Sequence, residues 1–180
     1  MSTSIRSSSI VVLVAATLCW TRAADAQVTA GVDLGPAVIN GFPQPPHGQL
    51  GQASLSVQQH GEWGIQVSGG RTSWQTGTFR TPMKYLTVGL VRMPQWSAIC
   101  FGRVRPFGRF GVGRYAFSKS RRNALTWGFY GALGVDVGIT MRISVSGELT
   151  LHAMRGPDDG PLESGIANAG MALAGFKFRF

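Results

Sequence analysis

After residue 26, apolar and polar residues alternate with period two along most of the chain, and no window holds a 3.6-residue apolar period. Period two marks β-strands whose two faces meet different surroundings. In Trp127–Ile139 the odd positions include Trp127, Phe129, Leu133, Val135, Val137 and Ile139, against Gly128, Tyr130, Ala132, Gly134, Asp136 and Gly138. In Arg142–Ala153, Ile143, Val145, Leu149 and Leu151 alternate with Arg142, Ser144, Ser146, Glu148, Thr150 and His152.

Shorter runs repeat the pattern. Val28–Leu34, Gln52–Gln58, Trp63–Gly70 and Tyr85–Arg92 each predict a strand. Val104–Phe117 is strand-like and Gly-rich, with Pro106 and Arg114 blurring its register, and Gly165–Phe180 closes the chain. Eight strands result. Long connections are expected near Asn40–Gln49, Gln75–Met83, Ser118–Thr126 and Met154–Ser164, and shorter ones at His60–Glu62, Pro94–Phe101 and Thr140–Met141. A short–long rhythm gives an even-stranded sheet one end of tight turns and one of loops, as in transmembrane barrels.

The first 26 residues read as an address. Arg6 in a Ser-rich leader precedes the apolar run Ile10–Cys19, and Ala24-Asp25-Ala26 supplies an A-x-A cleavage site. The run is about half of what a helix needs to cross a bilayer. The expected division is a cleaved secretory signal over 1–26 and one domain over 27–180, exported through the Sec pathway. Cleavage leaves 154 residues, a net charge of +8 and one cysteine, Cys100, so no internal disulfide can staple the fold.

Composition separates the two faces further. The mean hydropathy of +0.09 averages a strongly apolar face with a small, hydroxyl-bearing and charged one. Asp33, Asp136, Arg142, Glu148, Lys177 and Arg179 fall on the polar face, joined by Arg105 and Arg109. Eight strands enclose an interior just wide enough for side chains, where charges must pair. Glycines on that face (Gly31, Gly64, Gly89, Gly111, Gly113, Gly128 and Gly134) leave room for Arg and Tyr. The apolar face then contacts lipid, with Trp63, Trp127, Phe129, Phe176, Phe178 and Phe180 near strand ends as interfacial girdles.

These features resemble the small outer-membrane β-barrels of Gram-negative bacteria, the OmpA-like eight-stranded domain. The resemblance spans essentially all of 27–180. It rests on the leader, on Arg105-Pro106-Phe107-Gly108-Arg109-Phe110-Gly111-Val112-Gly113, on Trp127-Gly128-Phe129 leading into Gly131–Asp136, and on the terminal Phe176-Lys177-Phe178-Arg179-Phe180. It implies an eight-stranded antiparallel up-and-down barrel with a side-chain-filled polar lumen, in the cell outer membrane. It also implies that the barrel-assembly machinery reads Phe176, Phe178 and Phe180 on the last strand. Met171 and Leu173 depart from the pattern, because counting back from Phe180 turns them inward. Either a bulge at Gly175 or a shorter strand is the expected remedy.

Candidate chemistry is sparse. A resemblance to lipid A deacylases would require a His-x-Ser pair on a late strand, but His152 is followed by Ala153 and Met154. His152 is instead expected as a polar residue at the upper lumen rim. His47, His60 and His152 are scattered, so no metal-ligand cluster and no cofactor is expected. Arg114, Lys119, Arg121 and Arg122 form the densest basic group, on an expected external loop. Arg recognises phosphate bidentately, so the group reads either as a contact for lipopolysaccharide and outer-membrane lipid or as a merely solvated loop, and not as a nucleic-acid site in an exported chain. The sequence therefore predicts a structural or surface-interaction barrel, not an open porin. The alternatives are a lipid A-modifying outer-membrane enzyme and a soluble periplasmic barrel that binds an apolar ligand.

Overall fold

Each alternating run is a β-strand in the computed structural model, which describes residues 26–40, 47–58, 63–76, 79–93, 103–118, 123–155 and 166–180. Residues 1–25 of the leader and Cys100 lie outside the described residues. The strands are β1 (Gln27–Asn40), β2 (His47–Gln58), β3 (Trp63–Thr76), β4 (Phe79–Arg92), β5 (Val104–Ser118), β6 (Asn123–Gly138), β7 (Ile143–Arg155) and β8 (Ile166–Arg179). Each pairs antiparallel with its neighbours in sequence, and β8 pairs with β1 to close the barrel.

The stagger of that closure is read from the register. Partners of Val28 lead through Val57, Ile65, Leu90, Phe110, Gly131, Leu151 and Gly170 back to β1 at Val38, ten residues above the start. Such a stagger tilts the strands and fixes a narrow interior. The β1–β8 ladder skips Gly35 and Pro36, where proline has no N–H to donate.

The outward face carries the predicted apolar residues. Val32, Leu34, Ile65, Val88, Phe110, Leu133, Leu149 and Leu151 are all exposed. So are Trp63, Trp127, Phe129, Phe176, Phe178 and Phe180, with Trp63 edge-on to Phe110 at 6.4 Å. The inward face carries the glycines named above, which admit aromatic side chains more than arginines. A Cβ on Gly89 would stand 2.6 Å from the Tyr130 hydroxyl, and one on Gly134 would collide with the Phe107 ring.

Two expectations are corrected. The strands reach further toward the loop end than the alternation suggested, so the links there comprise six, two, four and ten residues. The longest link, eleven residues, lies at the other end between β4 and β5. The short–long rhythm is therefore absent. The second correction concerns β8, which keeps one register with β7 from Ile166 to Phe178. Met171 and Leu173 face inward with neither a bulge nor a shortened strand.

Candidate functional site

The lumen is filled in two layers. Toward the chain termini it is polar. Arg109 on β5 pairs with Glu148 on β7, which also accepts the Thr150 hydroxyl. Lys177 Nζ on β8 lies 2.6 Å from Asp136 Oδ1 on β6 and 3.9 Å from the centre of the Phe107 ring. Asp33 accepts Ser146 Oγ at 2.9 Å and Gln52 Nε2 at 3.3 Å. Arg109 also donates to Ser68 Oγ at 3.4 Å. All of these residues are buried, so each charge relies on its partner rather than on water.

Toward the loop end the inward residues become apolar and aromatic. Ala37, Ile39, Leu50, Trp74, Met83, Tyr85, Tyr115, Phe117, Met154, Ala169, Met171 and Leu173 form one buried cluster. Trp74 stacks on Phe117 at 6.5 Å. His152 stands among Tyr85, Tyr115 and Tyr130 at ring separations of 5.2, 5.5 and 5.9 Å. Its Nδ1 is 2.6 Å from the Tyr115 hydroxyl. The Tyr85 hydroxyl joins the layers by donating to Gln52 Oε1 at 2.7 Å.

The structure thus brings Asp33, Asp136, Glu148 and Lys177 together in the lumen, and leaves Arg179 half-buried at its mouth. Arg142 is a correction: it is exposed in the 139–142 turn. The Thr140 hydroxyl accepts the backbone N–H groups of Arg142 and Ile143 at 3.2 and 3.0 Å, so the strand starts one residue late. Arg114 is another. It lies exposed on the outward face of β5, not in a loop, because β5 continues to Ser118; its guanidinium sits 5.8 Å from the Trp127 ring centre. His152 is deep in the aromatic layer at 2% exposure, not at a rim. Lys119, Arg121 and Arg122 lie outside the described residues.

Among solved structures, the fold matches Neisserial surface protein A with a TM-score of 0.68 at 11% identity, covering 85% of this chain and 97% of that one. A major outer membrane protein from Thermus thermophilus matches at 0.61 and 11% identity, covering 86% and 99%. The chain has the fold of the small outer-membrane β-barrels. Ail, the attachment invasion locus protein of Yersinia pestis, matches at 0.56 and 14% identity, covering 87% and 99%. At these identities the likeness is one of fold. No family model matches the sequence, and no curated protein does.

Sequence reading missed the apolar layer and two cations, Arg71 and Lys84. Extending the strand parity beyond Gly70, and ahead of Tyr85, would have placed Trp74 and Met83 inward and both cations outward.

Proposed function

We propose that this chain is an integral protein of the Gram-negative outer membrane with a structural or surface-interaction role. The observation that carries the reading is the inversion of polarity: an apolar exterior surrounds a lumen packed with ion pairs and aromatic rings. An exterior with so much exposed apolar surface suits lipid rather than water. Strands of 12 to 16 residues also exceed the roughly 9–11 needed to span the hydrocarbon. The buried aromatic and apolar cluster above the ion pairs supports a filled lumen rather than an open porin. The terminal strand presents Phe176, Phe178 and Phe180 outward, the form in which the barrel-assembly machinery would meet them.

Two measurements test the role. In planar lipid bilayers the folded protein should give no steady conductance, and large stable steps would contradict a filled lumen. Mass spectrometry of lipid A from cells with and without the protein should show the same acyl chains. A chain lost or gained would favour the lipid A-modifying alternative.

A further inference from the structure

On the outward wall, Arg71 of β3 and Lys84 of β4 are register partners, and both are exposed. Side chains directly opposite on one face of an antiparallel pair stand about 4.5–5.5 Å apart at Cβ, and like charges there repel. Arg114 of β5 is the diagonal neighbour of Lys84, since its register partner is Leu86. No described carboxylate balances them: Asp33, Asp136 and Glu148, the three described acids, are all buried in the lumen.

The three cations hold equivalent places on their strands. Each is the next outward residue, toward the loop end, after the apolar wall of its strand: Gly69 before Arg71, Leu86 before Lys84 and Val112 before Arg114. Arg71 also borders two depressions of opposite character. Below it an apolar groove of about 460 Å³ is lined by Val32, Leu34, Gly51, Ala53 and Gly69. Above it a more polar recess of about 400 Å³ is lined by Gln49, Thr72, Ser73 and Pro82.

Apolar groove, paired cations and polar recess follow one another along the barrel wall. We propose that this wall binds a phosphorylated glycolipid of the lipid A class, with its phosphate between Arg71 and Lys84. Arg114, steadied on Trp127, flanks the phosphate. The acyl chain lies in the groove below and the sugar against the recess above. Phosphate between the two cations turns their repulsion into charge-assisted hydrogen bonds. The proposal rests on the membrane reading above.

The test uses the full mature barrel folded in detergent, with lipid A bisphosphate and its dephosphorylated form as probes. The R71Q/K84Q/R114Q variant should bind lipid A bisphosphate about tenfold or more weakly, as the loss of hydrogen bonds to a charged group implies. Dephosphorylated lipid A should bind the native protein as weakly. Gly69→Leu, which fills the groove while keeping the cations, should weaken binding of the acylated probe but not of inorganic phosphate. Equal binding by the triple variant, or equal binding of both lipids, would overturn the proposal. So would displacement of the lipid by a soluble sulfated oligosaccharide with matching affinity, which would assign the cations to a soluble polyanion. Each arm is scored on protein whose unboiled band shows a folded barrel. Failure to fold in detergent at all would overturn the membrane reading, and this proposal with it.

Discussion

Lys177 on β8 holds Asp136 on β6 at 2.6 Å, reaching across the strand that lies between them. Arg109 and Glu148 do the same across β6. Each pair joins strands that share no backbone ladder, so the two act as braces across the lumen. Breaking a buried pair leaves one charge uncompensated, whereas replacing both partners with apolar groups of similar volume is often neutral.

Glu148→Ala should therefore lower the unfolding free energy by about 3–5 kcal/mol. Arg109→Met combined with Glu148→Leu should recover most of that loss. Arg142→Ala, in an exposed turn, should change stability by less than about 0.5 kcal/mol. Urea unfolding in detergent, followed by tryptophan fluorescence, reads all three. A Glu148→Ala curve that overlays Arg142→Ala would refute the inside–outside assignment.

Two glycines on adjacent strands give opposite expectations. A Cβ on Gly134 would enter the Phe107 ring, while one on Gly147 would meet nothing within 4 Å. Overpacking a filled interior costs about 1–3 kcal/mol, so Gly134→Ala should destabilise by that amount and Gly147→Ala should not. The same unfolding measurement decides. Equal effects would mean that the lumen has slack beside Phe107.

The seam between the last and first strands ends at Phe180, whose N–H donates to the Val28 carbonyl at 2.9 Å. Deleting Phe180 removes that bond and the terminal aromatic of β8. Outer-membrane levels, measured by immunoblot of membrane fractions, should fall severalfold. Unchanged levels would show that the terminal residue carries no assembly information.

The eight strands and their inward and outward faces were legible where a small or polar lumen faced an apolar exterior, as at Asp136 and Leu133. Legibility failed at the loop end, for a physical reason. There the lumen turns apolar, at Leu50, Trp74 and Met83, while Arg71 and Lys84 face outward, so the alternation inverts within a single strand. Met171 and Leu173 looked anomalous for the same cause. The partners of Glu148 and Lys177 were not readable either, because each pairs with a strand two places away, which only the closed barrel brings near.

The central claim is an integral outer-membrane barrel with a filled lumen, and cell fractionation combined with gel mobility tests it most directly. The mature protein should sediment with the outer membrane, resist extraction by carbonate, and run faster on a gel before boiling than after. Recovery in the soluble periplasmic fraction, with one mobility whether boiled or not, would contradict it.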